Sequence, residues 1–450
     1  MMWWAVVLTF SLLSYWLNRR YGPRMGVTIP VLLSILCPTW ISLALFGEAV
    51  DVRLGVMLAA VCIAGWLYPK HNPDNRWTVA DYALVGLIAA NLLSDTYHDG
   101  LQFKNLLRCG AEWLLPYIAG RWGLREPNDV RFATPIACVV IILLGLWAVT
   151  EAVARENPIN HVVGARPADR TPPVVVRWGV KRAEGPTRHP IWFGLTQVML
   201  LPWSVVAARR AWRGEGPLWW YSVPVANLVG IVLTVSRGSW IAALLVFYFL
   251  AVCRFPKIRW PLVAVGLLAA VVGAFQIEQV TSWLEVTRPY DHVARTKVGD
   301  VEAVHTAATH RWMQFVAYRK AIFAAGWLGF GTERTSQYPV NVPLDDQALQ
   351  TITKFWTIDS EYLLLQLRFG VLGLGLFLLL GLASAVRTMR LGCQLMAPGS
   401  TFAAALGATL LAMMLTLFVE WMPYDFGFLL LFSCGAASSL QLSRSVKHHG

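Results

Sequence analysis

Charged residues are scarce in this sequence. They make up 14% of its 450 residues, whereas about a quarter of a soluble chain of ordinary composition is charged. The shortage extends along the whole chain, which argues against a soluble enzyme of ordinary composition. The seven cysteines show no CxxC spacing, so they do not indicate a metal site.

Apolar runs recur along the chain, and each is roughly long enough to cross a hydrocarbon core of about 30 Å. In lipid every backbone polar group must be paired internally, so these runs indicate helices. We predict an all-α polytopic membrane protein with about 12–14 transmembrane helices. The first run has no basic residues before it and no cleavage site after it, so we interpret it as a retained span. The candidate spans are 3–18, 27–47, 52–69, 79–94, 105–121, 132–150, 190–208, 218–236, 238–253, 260–277, 359–385, 400–421 and 424–442.

The net charge of +12 follows the connections between spans. Lys and Arg cluster after alternate spans, which predicts that those connections are cytoplasmic. The pattern therefore reports membrane topology, and no nucleic-acid partner is indicated. Two long connections, Glu151–His189 and Glu278–Ile358, fall on the external side, where long loops are usually functional. We divide the chain into N-terminal helices (1–150), central helices with the first long external loop (151–277), a large structured external loop (278–358) and C-terminal helices (359–450).

One basic residue interrupts an apolar stretch at Ser236-Arg237-Gly238. A tight turn between two spans would explain the serine and the glycine. It would not require an arginine, and arginine at membrane depth indicates a functional site. Because a guanidinium group suits phosphate or diphosphate, we predict that Arg237 binds an anion. Trp240 follows in the next helix and could stack on a sugar.

Two further segments carry polar groups at span borders. Residues 181–190 contain Arg182, Arg188 and His189, and they could be interfacial anchors or a second cationic element facing the same anion. His189 could also act as an acid or a base near neutral pH. The last long connection ends in Asp359-Ser360-Glu361-Tyr362. These residues could form the N-terminal turn of a helix, or one carboxylate could deprotonate an incoming hydroxyl, with Tyr362 and Gln366 sharing the helix face of Asp359.

Weaker candidates lie elsewhere. In the large loop, the segment His310–Phe323 has a helical apolar pattern, and Arg311 within it could be a further anion ligand. Glu112, Glu420 and Asp425 lie in or beside apolar runs, where a transporter could use them to relay protons. A metal-dependent glycosyltransferase would want a carboxylate pair in the first external loop, where Glu48 and Asp51 are present.

The order of these motifs resembles the bacterial O-antigen ligase and O-antigen polymerase superfamily over roughly residues 180–380. Ser236-Arg237-Gly238 is similar to the Ser-Arg-Gly element of that superfamily, and Arg182 with Gly185-Pro186 is similar to its Arg-x-x-Gly segment. Arg311 with Gly329-Phe330-Gly331 resembles its Arg-led loop helix and Gly-x-Gly exit. Asp359 stands where the ligases carry His, a departure that favours an exopolysaccharide polymerase.

The resemblance implies a glycosyltransferase-C-like enzyme in the bacterial inner membrane, with its active face periplasmic. The donor would be an oligosaccharide repeat on undecaprenyl diphosphate, and no cofactor and no metal would be required. Arg182 and Arg237, with Arg188 and Arg311, would bind the diphosphate. Asp359 would be the base, with His189 and Glu361 as alternatives, and Tyr362 and Trp240 would contact the glycan.

The resemblance also implies partners, namely membrane lipid and the chain-length regulator and flippase of the same pathway. Two alternatives stay open at this point. The first is a ligase that transfers the glycan to lipid A core. The second is a transporter or flippase of a lipid-linked glycan.

Overall fold

A computed structural model describes residues 2–45, 48–68, 76–100, 102–163, 176–275, 295–298, 301–304, 311, 314–336, 342, 358–394 and 397–442. These residues are mainly helical. Five helices are long and apolar enough to cross a membrane: Val79–Asp99, Pro127–Ala154, Pro190–Trp212, Arg237–Arg254 and Glu361–Gly392. Among the described residues, the shorter apolar helices are Val52–Leu67, Leu218–Leu233 and Ser400–Thr416. The prediction of an all-α polytopic membrane protein is therefore confirmed.

The helices follow the apolar runs closely. In chain order they are α1 Met2–Tyr21, α2 Pro23–Ser34, α3 Val52–Leu67, α4 Val79–Asp99, α5 Phe103–Cys109, α6 Leu115–Gly123, α7 Pro127–Ala154, α8 Asn160–Val163, α9 Pro190–Trp212, α10 Ser222–Leu233, α11 Arg237–Arg254, α12 Arg259–Phe275, α13 Arg319–Ala324, α14 Thr332–Ser336, α15 Glu361–Gly392, α16 Ser400–Thr416 and α17 Tyr424–Ser439.

Short irregular helices and three hairpins complete the described architecture. A π-helical turn at Gly110–Leu114 joins α5 to α6, and 3-10 turns at Leu218–Tyr221 and Pro256–Ile258 precede α10 and α12. Each hairpin is antiparallel and two-stranded. The strands are β1 Ser42–Leu45 with β2 Glu48–Asp51, β3 Val176–Arg177 with β4 Val180–Lys181, and β5 Arg295–Val298 with β6 Val301–Val304.

One predicted span is shorter than expected. The apolar run 27–47 forms a helix only as far as Ser34, and the chain then turns into the β1–β2 hairpin. Pro38 supplies the physical reason, because proline has no N–H for a helical bond and disfavours helix at the residue before it.

The predicted loop helix is only partly described. His310 and Trp312 lie outside the described residues, whereas residues 314–317 and 319–324 are helical on either side of a turn at Tyr318. An apolar cluster of Tyr318, Ala321, Leu363 and Leu367 joins this segment to α15. The end of the large loop is therefore packed onto the helical body.

The two ends of the helical bundle differ in which helices begin and end there. Helices α9, α11, α15 and α17 begin at one end, which we call the site face, and α7 and α10 end there. Helices α4 and α7 begin at the other end, the opposite face, where α6, α15 and α17 end. The motifs singled out from the sequence lie on the site face.

Candidate active site

The Ser-Arg-Gly motif forms a tight turn between α10 and α11. Val235 has φ of 45°, which is a strained conformation for a β-branched residue. Ser236 has the extended backbone of an N-cap, and Arg237 is the first residue of α11. Gly238 leaves room for a neighbour, because a Cβ there would lie 2.9 Å from Oε1 of Glu420. The turn thus brings Gly238, the residue after Arg237, beside a buried carboxylate.

A buried acid of α7 holds the segment 181–189 in place near this turn. Glu151 is fully buried, and its Oε2 accepts hydrogen bonds from the backbone N–H groups of Glu184 (3.0 Å) and Gly185 (2.9 Å). Its Oε1 lies 3.1 Å from Nζ of Lys181. The segment 181–189 is therefore anchored at the end of α7.

Arg182 lies directly against the Ser-Arg-Gly turn. Its Nε donates to the carbonyl of Thr234 at 2.9 Å, and the next backbone N–H, that of Ala183, donates to the carbonyl of Leu233 at 2.9 Å. Burial lowers the pKa of the Arg182 guanidinium to about 10, so the group remains charged at neutral pH. Two predicted anion ligands, Arg182 and Arg237, thus flank one turn.

The carboxylate of Glu420 lies beside the Ser-Arg-Gly turn and contacts Arg311 of the large loop. It lies between α16 and α17 with only 5% of its surface exposed, and Nη2 of Arg311 lies 2.5 Å from its Oε1. Burial raises the pKa of the Glu420 carboxyl to about 7; Arg311 and Arg182 oppose this rise and Asp359 adds to it. Arg311 therefore contacts this carboxylate, and the charges of Arg182 and Asp359 act on it.

The start of α15 places Asp359 and Glu361 differently. The backbone N–H of Asp359 donates to Oε1 of Gln314 at 3.0 Å, which joins the large loop to this point. Ser360 caps the helix by accepting from the N–H of Leu363 at 3.3 Å. Because the helix begins at Glu361, Asp359 precedes it and does not share a helix face with Tyr362 and Gln366, contrary to expectation.

Glu361 faces the turn that carries Glu420. Its Oε2 accepts from the N–H of Met422 at 2.9 Å. Its own N–H lies 3.1 Å from the carbonyl of Leu417 and 3.2 Å from that of Glu420. Glu361 is 3% exposed, so its contacts hold the turn between α16 and α17 in place.

Arg188 and His189 lie on the other side of the same turn. Arg188 binds the fully buried Asp425 through Nη2 (2.8 Å), Nε (3.1 Å) and its backbone N–H (2.8 Å). Nδ1 of His189 accepts from the N–H of Ile191 at 3.2 Å, so a neutral imidazole carries its proton on Nε2. Trp192 packs edge-on against Trp421 with ring centroids 5.6 Å apart and links this side to Glu420.

The two predicted sugar-stacking residues pack within the helical body. The indole N–H of Trp240 donates to the carbonyl of Ile231 at 3.1 Å. The hydroxyl of Tyr362 donates to the carbonyl of Met414, and its ring packs edge-on against Phe418 with centroids 6.3 Å apart. These contacts account for both residues structurally, and their contact with glycan stays a prediction.

The Gly329-Phe330-Gly331 segment has a packing explanation. Both glycines have positive φ, and a Cβ on Gly329 would lie 2.4 Å from the backbone of Arg368. Thr332 donates its backbone N–H to Oδ1 of Asp95 in α4 at 2.6 Å. The segment therefore ties the end of the large loop to α4 and α15.

An apolar groove of about 820 Å³ opens beside Arg188. It runs between α1 and α3 on one side and the α5–α6 region on the other. Its polar lining includes Thr39, Ser42, Asp51, Lys104, Arg108, Glu112, Arg188 and Tyr424, and its apolar walls include Leu54, Leu58, Ala59, Leu107, Leu114 and Ile118. A long hydrocarbon chain could lie in this groove with a polar group at Arg188.

Glu420 and Glu151 were not predicted as site residues. In the sequence Glu420 is an acid beside an apolar run, and this is the signal that could have identified it. In the residues that the structure describes, no group of three or more His, Cys, Asp or Glu could hold a metal ion. Asp51 accepts from the N–H of Arg53 at 2.8 Å as the N-cap of α3.

Residues 223–378 match the family model described as O-antigen ligase. The matched segment contains Arg237, Arg311 and Asp359, whereas Arg182 and Glu420 lie outside it. No curated protein matches the chain. The match confirms the resemblance drawn from the motifs.

Proposed function

Residues 223–378 of this chain match the O-antigen ligase family model, and on that premise we propose that the protein is a polymerase. It would join oligosaccharide repeats carried on undecaprenyl diphosphate into an exopolysaccharide or O-antigen. The site face would be the periplasmic face of a bacterial inner membrane, in keeping with the distribution of Lys and Arg.

The observation that supports this proposal is the buried carboxylate of Glu420, which lies beside Gly238 of the Ser-Arg-Gly turn, forms an ion pair with Arg311 and is acted on by the charges of Arg182 and Asp359. The acceptor hydroxyl oxygen would form a bond to the anomeric carbon of the donor sugar. The bond from that carbon to the diphosphate oxygen would break, and the diphosphate would leave with the electron pair. Asp359 would take the hydroxyl proton, and the arginines would stabilise the charge that develops on the diphosphate.

Direct displacement of this kind inverts the configuration at the anomeric carbon. Arginine can supply the positive charge near the leaving group, so the proposal needs no bound metal. Glu420 would act on the reaction through Arg311, because its carboxylate holds that guanidinium beside the turn.

Asp359 favours polymerase over ligase, because the ligases that the motifs resemble carry His at this place. A ligase acting on lipid A core remains the second candidate within the same chemistry. Purified protein in lipid vesicles with a lipid-linked repeat as both donor and acceptor separates the two. A ladder of polymers supports the polymerase, whereas single transfers to added lipid A core would contradict it.

The groove beside Arg188 suits the isoprenoid tail of the donor. Replacing Ala59 with Trp should fill the groove and raise the KM for the lipid-linked donor about tenfold, which is the loss expected from displacing roughly two buried methylene groups. The change in kcat should be small. The measurement is initial-rate kinetics at several donor concentrations.

Leu146→Trp is the matched control for the groove. Leu146 lies on α7 outside the groove and is 57% exposed. The Leu146→Trp variant should leave the KM for the lipid-linked donor unchanged. An equal rise in both variants would mean that the groove does not hold the donor tail.

The pKa of Glu420 predicts a pH dependence of activity. Below about pH 7 the carboxyl is protonated and no longer attracts Arg311 as an ion pair, so wild-type activity should rise as the pH increases through this value. Glu420→Gln should be less active, roughly tenfold or more at pH 8 by the strength of a buried charged bond, and should lack this rise. Rate against pH from 5.5 to 8.5 checks both statements.

A stability measurement accompanies the pH profile. The pKa of folded Glu420 exceeds the ordinary 4.5, so the folded state binds the proton more tightly than the unfolded chain does. Its contribution is most favourable below 4.5 and is lost as the pH rises toward 7. The melting temperature of wild type should therefore fall over this range relative to Glu420→Gln. Identical pH profiles of activity in the two proteins would contradict the assignment.

A further inference from the structure

A second cavity, of about 1540 Å³, lies on the opposite face of the bundle. It is bounded by the start of α4, the end of α6, the start of α7 and the ends of α15 and α17. Five arginines and one acidic residue line it: Arg76, Arg121, Arg125, Arg387, Arg390 and Glu126. The proposed glycosyl transfer uses none of these residues.

Two of the arginines are built into the wall of this cavity. Arg121 forms an ion pair with Asp81 and donates to Oγ of Ser438 at 2.9 Å. Arg387 donates through Nε to the carbonyl of Ala437 at 2.9 Å and through Nη2 to that of Leu440 at 3.2 Å. These bonds fix the positions of two guanidinium groups at the end of α17.

Among the described residues, no acid balances the charge of the other three arginines. Within the part of the chain that the structure describes, the guanidinium groups of Arg76, Arg125 and Arg390 make no hydrogen bond or ion pair. The carboxylate of Glu126 is already engaged, 2.9 Å from Nη1 of Arg24. The cavity is therefore strongly positive, and guanidinium groups suit the oxygens of a phosphate.

The walls of the cavity lead to an apolar surface. Trp77, Val79 and Val386 line it and are exposed, and Leu382 is exposed one turn further along α15. This surface on α4 and α15 would face the hydrocarbon of the bilayer. A ligand with a phosphate and acyl chains would satisfy both parts, whereas a free phosphate would leave the apolar part without a partner.

Membrane topology alone does not explain the arrangement. The excess of Lys and Arg on one side of a membrane requires basic residues near the ends of the spans, but it does not require that several segments of the chain direct them into one cavity. Basic pockets between transmembrane helices are known to hold anionic lipid headgroups. We propose that this cavity binds the phosphate of an anionic phospholipid, with the acyl chains along α4 and α15.

The test measures binding of phosphatidylglycerol to purified protein in detergent by native mass spectrometry, with phosphatidylcholine as the neutral lipid. The double variant Arg125→Gln/Arg390→Gln should bind phosphatidylglycerol about 30-fold more weakly, from the loss of two charges near the surface. Its melting temperature without added lipid should equal that of wild type. The readout is binding, so it is independent of whether the protein proves to be a polymerase.

Arg19→Gln/Arg20→Gln is the matched control, because both arginines are exposed at the end of α1 on the same face and outside the cavity. It should bind phosphatidylglycerol like wild type. An equal loss in the control, or equal binding of the two lipids by wild type, would overturn the proposal.

A separate arm of the experiment titrates the protein with inorganic phosphate alone. Binding of phosphate as tight as that of the lipid, with the same loss in the double variant, would show a soluble anion site and overturn the lipid assignment.

Discussion

Replacing Arg237 or Arg182 with alanine should abolish polymer formation while the protein is still made and inserted. Arg237 belongs to the turn after α10 and Arg182 donates to that turn, where the diphosphate would leave. Removing one positioned donor from a developing charge typically costs about 10²–10³ in rate. Lysine at position 182 should restore only part of the activity, because it keeps the charge but cannot form the forked contact.

The measurement is polymer length in cells and turnover of lipid-linked repeat by purified protein. Arg182 also donates to the carbonyl of Thr234, so loss of folding must be separated from loss of chemistry. Melting temperature and binding of donor serve this purpose. The matched control is Arg213→Ala, at the end of α9 on the opposite face, which should leave activity unchanged. Normal chain length in both site variants would refute the arginine mechanism.

Asp359→Asn should lower turnover by about 10²–10⁴, the usual contribution of a positioned general base. It should still bind the lipid-linked donor, because asparagine keeps the shape of the side chain and the arginines are untouched. The backbone N–H of residue 359 would keep its bond to Gln314, so folding should be preserved. Single-turnover rates and equilibrium binding of donor, measured on the same preparation, check the two statements.

Glu333→Gln is the matched control for this carboxylate-to-amide change. Glu333 pairs with Lys104 on the site face, in α14, and it is not among the groups around Glu420. It should retain wild-type turnover. If Asp359→Asn keeps its activity, the base must be sought at His189 or Glu361. His189→Gln would then be decisive, since Glu361 is bound to the N–H of Met422.

Much of the fold could be predicted from the sequence. A span in lipid needs a certain length of apolar chain and must pair its own backbone, so the apolar runs predict helices almost residue by residue. The exception is the run 27–47, where Pro38 ends helical pairing early. The motifs around Arg237 and Asp359 were found for a similar reason, because polar groups at span borders are rare and therefore visible.

The contacts within the candidate site could not be predicted from the apolar pattern of the sequence. Arg311 and Glu420 are 109 residues apart, and Arg188 and Asp425 are 237 residues apart. No periodicity relates such pairs, because their contact depends on which helices pack together and at what depth. In the sequence Glu420 is one acid beside an apolar run, and only the packed structure shows its ion pair with Arg311.

The sequence by itself, through its scarcity of charge, thus determined that the chain is helical and spans a membrane. It also determined which connections between spans carry the polar motifs. Local composition suffices for that, because lipid penalises every unpaired polar group wherever it lies in the chain. Tertiary packing alone decided that Glu420 pairs with Arg311, that a groove opens beside Arg188, and that five arginines share one cavity on the opposite face. These features arise from side chains brought together by helix packing, and the free energy of such contacts has no local signature in the sequence.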